Sequence, residues 1–323
     1  MFSYRIFLKQ AWIITKKYKH LWFFGIFASL TAIGGEYQLI TQGFNARPGG
    51  HFVDNGILII YNLFNPTFYS SLGQLATTNI SAFWSLISVI VLAILLILIM
   101  IYLAITSQAA LVEQSARLML SKKKNEKLGI NEGIIFGRRH FWPVLGLNLS
   151  NNFIISACLL IVSLPLIFLL ITDSVAINLT YSALFIIFVP IALAISLIMK
   201  YAIAAQVLEN NSFITSIEKA WKIFYKNWLV SLEMAIIQFL ISFIVGLVIL
   251  IIISLFFIPL LLLSFQLSLP LLASLSFILI IASMIIVASI LNTFQISTWT
   301  SLYLHLQQKR GISKIERFFR NNR

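Results

Sequence analysis

The chain reads as an all-α integral membrane protein with about six transmembrane helices, and three observations carry that reading. Its 323 residues are 60% hydrophobic and only 10% charged, where a water-soluble domain carries roughly 25% charged residues. Its apolar residues gather in uninterrupted runs, several reaching the roughly 20 residues a helix needs to cross hydrocarbon. The lysines and arginines then sort one-sidedly about those runs.

Taken in order, the runs are Leu21–Ile33, Ile80–Thr106, Phe153–Ile171, Tyr181–Met199, Phe239–Leu263 and Leu271–Leu291, the last continuing in more polar form to Leu306. The first is the shortest, ending at Gly34, Gly35 and Glu36. It reads as a retained, short or tilted helix rather than a signal peptide, because a long basic segment precedes it and no clean small-x-small cleavage site follows. Continuous runs of this length exclude the alternating strands of an outer-membrane barrel. Pro165, Pro190 and Pro259 interrupt their spans and predict kinks. The long 34–79 connection reads as a cap over the outer mouth of the bundle, whereas Thr172–Ser174 and Ser264–Pro270 read as tight turns.

Of 23 lysines and arginines, 22 lie before the first run, between the second and third, between the fourth and fifth, or after the sixth; Arg47 alone lies on the other side. The positive-inside rule therefore predicts a multi-pass protein with both termini in the cytoplasm, the 307–323 tail included. The formal net charge of +13 is thus a topology signal, not a nucleic-acid footprint. The whole chain, 1–323, reads as a single membrane domain. Its single cysteine, Cys158, lies in an apolar run and reads as a buried, inert thiol.

Three segments of related character enter the odd-numbered spans. Residues 220–228 read AWKIFYKNW, residues 11–17 read AWIITKK, and residues 133–141 read GIIFGRRHF, with Ile134 in the place of Trp221. The even-numbered spans end alike, at ALVE (110–113), QVLE (206–209) and LHLQ (304–307). These recurrences predict three repeats, 3–127, 128–211 and 212–311, each an interfacial helix followed by a helical hairpin. In the third entry segment Thr215 and Glu218 read as a capping box. Ile217, Trp221, Phe224 and Trp228 then share one helical face, with Lys219, Lys222 and Lys226 on another. In the first, Phe7, Ala11, Ile14 and Tyr18 oppose Arg5, Lys9 and Lys16. Aromatics against lysines is the pattern of a helix lying in the membrane plane, where each basic residue near an anionic leaflet contributes about 1 kcal/mol. The candidate lipid-binding residues are accordingly Lys9, Trp12, Lys16, Lys17, Arg138, Arg139, Lys219, Trp221, Lys222, Lys226 and Trp228. Membrane lipids with anionic headgroups are the expected partners, together with a protein partner the sequence does not specify.

No catalytic, metal or cofactor pattern stands out. The four histidines (His20, His51, His140 and His305) have no paired metal-ligand spacing, and phosphate-loop, dinucleotide and serine-hydrolase motifs are absent. Lys200 and Glu233 are placed at similar depth at the inner ends of their spans and are candidates to pair. Glu113 and Glu209 occupy matching positions and are candidates to cap or pair with the basic helices. Asn148, Asn151 and Asn152 open the third span. Asn292, Gln295 and Thr298, with Thr293, Ser297 and Thr300, read either as interhelical glue or as a polar pathway with Lys200 and Glu233 at its inner end.

The segments AWKIFYKNW at 220–228 and KYKHLWFFGIFA at 17–28 resemble the membrane domain attached to some bacterial glycerophosphoryl diester phosphodiesterases and its stand-alone relatives. The soluble phosphodiesterase barrel with its acidic metal ligands has no counterpart here, so hydrolytic activity does not carry over; the resemblance implies a bacterial inner membrane and a lipid-linked role, and transfers no functional residue. The expected function is a non-enzymatic scaffold or lipid-associated module. The competing reading is a small permease for a lipid or lipid-like solute.

Overall fold

The structure is a computed structural model, described here over residues 4–32, 70, 77–120, 129–169, 175–267 and 269–308, with backbone only for 163–169, 175–178 and 181. Among the described residues there is no strand. The helices are α1 (Tyr4–Lys17), α2 (His20–Ala32), α3 (Ile80–Leu120), α4 (Ile130–Arg139), α5 (Phe141–Leu169), α6 (Val175–Glu209), α7 (Phe213–Lys226), α8 (Trp228–Ile252), α9 (Ile258–Gln266) and α10 (Pro270–Gln308). Five stretches are long and apolar enough to cross a membrane: Ile80–Leu120, Phe141–Val162, Ser182–Glu209, Trp228–Gln266 and Pro270–Gln307; His20–Thr31 is a shorter apolar helix. The chain is therefore an α-helical, multi-pass membrane protein. At 1.5 Å per residue, the 41-residue α3 is about 60 Å long, twice the hydrocarbon thickness, so part of it lies beyond the hydrocarbon.

Three short helices each run into an apolar one across a break of one or two residues: α1 into the short α2 at Tyr18 and Lys19, α4 into the long α5 at His140, and α7 into the long α8 at Asn227. The start of α7 differs from the capping-box reading. Ser212, not Thr215, is the N-cap, and its hydroxyl accepts from the Thr215 backbone N–H at 3.4 Å. The connection after α6 is short: Asn210 takes a left-handed φ of 51°, and only Asn211 and the extended Ser212 follow before α7 begins. Asparagine tolerates that conformation because its short polar side chain can bond locally.

Pro259 acts through its neighbours. Helices α8 and α9 are joined by a π-helical turn, Ile253–Phe257, that puts Pro259 in the first turn of α9. Proline lacks an N–H and its ring collides with the carbonyl four residues back, and a widened turn relieves both. Pro190 sits inside α6; the side chain of Pro165 is not among those described. The Ser264–Pro270 connection is tight, as expected, with the Leu269 N–H bonded to the Ser264 carbonyl at 2.9 Å. The 34–79 connection apart from residues 70 and 77–79, the Thr172–Ser174 turn, and the tail beyond Gln308 lie outside the described residues.

By its internal contacts the chain divides into two compact units, Met1–Ala32 with Leu103–Asn151 and Ile195–Arg323, and Ile33–Tyr102 with Asn152–Ala194. In the second, large apolar side chains such as Val89, Leu92 and Ile186 are more than half exposed, as lipid-facing residues are. The first contains the core. There α10 packs chiefly on α2 and α1, and Ile14, Leu21, Phe24, Ala28, Ala110 and Leu111 form a cluster at the junction of α1, α2 and α3.

Small residues set how closely these helices approach. A Cβ at Gly25 of α2 would collide with the carbonyl oxygen of Ser289 on α10. One at Gly137 of α4 would strike the Thr106 carbonyl of α3, and one at Gly133 the ring of Phe24. Such contacts replace the hydrophobic drive that is missing between helices already immersed in an apolar solvent.

Candidate functional site

The first compact unit contains three chemically distinct features: a polar seam along α10, a carboxylate hub at the end of α6, and the exposed faces of α1, α4 and α7.

The seam is built by the C-terminal half of α10. Ser289 donates to the Trp22 carbonyl, Asn292 to the Gly25 carbonyl at 3.3 Å, and Thr293 to the Leu21 carbonyl at 3.3 Å, tying α10 to the backbone of α2 where Gly25 permits close approach. On another face of α10, the Gln295 amide donates to Ser242 at 2.6 Å, and Gln238 donates to the Gln295 carbonyl at 3.3 Å. Ser297 shares a bond with Ser115 of α3 at 2.9 Å, and Ser301 donates to Gln10 of α1 at 3.0 Å. Thr298 is fully buried and donates to the Phe294 carbonyl of its own helix at 2.8 Å. The polar residues read from sequence as glue or pathway thus have their side chains committed to bonds that hold α10 to α1, α2, α3 and α8, or to α10 itself.

Lys200 and Glu233 have partners the sequence did not suggest. The Lys200 ammonium lies over the Trp299 ring, 5.0 Å from its centroid, and Glu233 accepts a hydrogen bond from the Tyr4 hydroxyl of α1. Asn148 donates to Gln108 at 2.8 Å, joining α5 to α3.

The hub is Glu209. Its carboxylate receives the Lys219 ammonium of α7, the Tyr303 hydroxyl and the Gln307 amide of α10, the latter at 2.8 Å, and the Asn211 amide at 2.8 Å. One side chain thereby fastens the end of α6 to the start of α7 and the end of α10. Its counterpart Glu113 pairs instead with Arg117 of its own helix at 2.8 Å, and Arg117 stacks over the Phe136 ring of α4 at 4.1 Å. Both acids reach the entry helices, Glu209 directly and Glu113 through an arginine. Nearby, the ring nitrogens of the buried His140 face the Phe136 carbonyl at 3.1 Å and the Asn210 side-chain oxygen at 2.7 Å.

The entry helices use three faces rather than two. On α1, Phe7, Ala11 and Ile14 are buried against the protein, while Ile6, Trp12 and Ile13 are about half exposed beside the exposed Arg5, Lys9, Lys16 and Lys17. On α7 the buried residues are Ser216 and Ala220, and Trp221 and Tyr225, with Trp228 one residue beyond the break, are more than half exposed beside Lys222 and Lys226, with Lys219 turned to Glu209. On α4, Gly133 and Gly137 are buried and Arg138 and Arg139 exposed. The packing stripe is made of small residues or a compact apolar set, and a separate aromatic stripe is left for lipid. On α1 the apolar face that periodicity picks out, Phe7, Ala11 and Ile14, is the packing stripe, and the exposed Trp12 and Ile13 lie outside it.

Residues the sequence did not single out are Tyr4, Gln10, Tyr201, Tyr303 and Ser242. Tyr201 is fully buried and bonded to Ser231 at 2.7 Å. Only a tyrosine in an otherwise apolar stretch hinted at such a partner. Among the described residues no group of histidine, cysteine, aspartate and glutamate is placed to hold a metal ion. No family model matches the chain, and neither the curated proteins nor the solved structures contain a match to it.

Proposed function

We propose that the chain is a non-enzymatic, lipid-associated module of a bacterial cytoplasmic membrane. It comprises six spans arranged as three repeats with both termini in the cytoplasm, and its short basic helices bind anionic headgroups in the plane of the inner leaflet. The observation that carries this reading is the common register of α1, α4 and α7. Each has a buried small residue, Ala11, Gly133 or Ala220. The next residue is a large exposed hydrophobe, Trp12, Ile134 or Trp221. Seven residues after the small one the helix breaks, at Tyr18, His140 or Asn227. A large apolar side chain left exposed beside arginine or lysine, at one position in three copies, suits a membrane surface better than water. The lipid-linked resemblance of 17–28 and 220–228 points the same way. The commitment of Asn292, Gln295 and Thr298 to helix–helix and intrahelical bonds supports a packed module over a permease.

The test is cysteine labelling in intact cells on a Cys158→Ser background. A cysteine at Asn125 is expected to react with a membrane-impermeant maleimide only after the cells are opened. Labelling from outside would reverse the topology and remove the basic helices from the anionic inner surface.

A further inference from the structure

An open groove of about 520 Å³ runs along α1, lined by Tyr4, Arg5, Lys9 and Trp12, with Ile237 of α8 and Phe294 of α10. Its composition is divided. Arg5, Lys9 and Trp12 stand at i, i+4 and i+7 and so share one face of α1. Opposite them stand two apolar residues of long helices, the half-buried Ile237 of α8 and the buried Phe294 of α10, which forms the floor. The groove is held open by named contacts: Trp12 meets the Phe294 ring edge-to-face at 6.3 Å between centroids, and the Tyr4 hydroxyl is anchored on Glu233, one turn before Ile237. Arg5 and Lys9 have no ion-pair partner among the described residues.

We infer that this groove is a discrete site for one anionic phospholipid, its phosphate on Arg5 and Lys9 and an acyl chain along Ile237 and Phe294. The guanidinium offers a fork that matches phosphate oxygens and the ammonium adds a point charge. Trp12 is the amphipathic wall expected where headgroup meets hydrocarbon. A soluble anion would use the two cations and leave Ile237 and Phe294 idle; a zwitterionic lipid would use the apolar wall and bring its own cation against Arg5 and Lys9. An anionic phospholipid satisfies both halves. The inference rests on the proposed membrane-surface role of α1 and adds a stoichiometric site to it.

The experiment is native mass spectrometry of the full chain in detergent, titrated separately with phosphatidylglycerol, with phosphatidylcholine of the same acyl chains, and with inorganic phosphate. The expected result is a single retained phosphatidylglycerol, with neither of the others retained. Arg5→Gln with Lys9→Gln should weaken that adduct about thirtyfold, the combined effect of two basic residues near an anionic headgroup. Ile237→Trp, which fills the groove and keeps every charge, should also abolish it. A charge-matched pair outside the entry helices, Lys309→Gln with Arg310→Gln, should leave it in place. Equal retention of phosphatidylcholine, equal loss in the Lys309/Arg310 pair, or binding that survives Ile237→Trp would overturn the site. The last two would leave a diffuse basic surface, so the broader membrane reading would stand without the groove. Should the Arg5/Lys9 variant not fold, Ile237→Trp and the wild-type lipid selectivity decide alone.

Discussion

The two halves of α10 share one helix, yet they differ in composition and meet opposite surroundings. From Leu271 to Ile286 the large side chains point outward, with Leu271 84% and Ile278 62% exposed. From Ser289 to Leu306 the helix is engulfed, and Thr293, Ser297, Thr298, Leu302 and Tyr303 have no exposure at all. In water the greasy half would be inside and the hydroxyl-rich half outside. Hydrocarbon removes the penalty on exposed leucine and imposes one on an unbonded hydroxyl, so polar and small residues mark the interface. The comparison teaches where to look for function and stability in this chain: mutations matter where serine, threonine, asparagine and glycine collect, not where leucine does.

The largest effect should therefore come from a glycine. Gly25→Leu places side-chain atoms into the Ser289 carbonyl, and the three bonds from Ser289, Asn292 and Thr293 to α2 lose their geometry together. Destabilisation of about 3 kcal/mol or more is expected, the upper end of overpacking costs, read as a fall in the thermal midpoint of the purified protein. Gly246→Leu in α8, where a new Cβ meets nothing within 4 Å, should leave the midpoint in place. Equal sensitivity at the two glycines would break the distinction between engulfed and lipid-facing helix surface.

Next in size is the difference between the two matched acids. Glu209→Ala strands Tyr303, Gln307, Asn211 and Lys219 at once and should cost about 2 kcal/mol, as for a part-buried charged acceptor. Glu113→Ala removes a pair confined to one helix, with Arg117 45% exposed, and should cost about 0.5 kcal/mol. Lys219→Ala alone, if it costs much less than Glu209→Ala, would show that the tyrosine and amide donors, not the ion pair, carry the larger number.

How much of this was legible beforehand depends on range along the chain. Apolar runs and the Pro259 interruption are local, and each appeared as an element. The overlapping signals at Ser212, Thr215 and Glu218 were ambiguous, because a serine or threonine three residues ahead of a partner fits both registers; the short link after Asn210 chose the earlier one. The partners of Tyr4 and Ser289 lie 229 and 267 residues away, and no periodicity encodes such a distance. Lys200 shows the same limit. Its place near the end of an apolar run was readable, but the Trp299 ring it lies over belongs to a different helix, α10.

The smallest effects test whether the seam is glue. Asn292→Leu removes a bond that crosses from α10 to α2 and should cost about 0.6 kcal/mol, the average for interhelical polar contacts in a membrane. Thr298→Val removes a bond that returns to Phe294 of the same helix, and since a hydroxyl bonded to its own turn adds nothing between helices, its cost should be near zero despite equal burial. Both variants should fold and bind lipid as the wild type does. If Thr298→Val proved the more damaging of the two, the hydroxyl would be required for something other than joining helices, and the pathway reading of α10 would regain its basis. If the order holds, the direction of each bond, across the interface or back along the helix, ranks the seam's polar residues where burial and residue type do not.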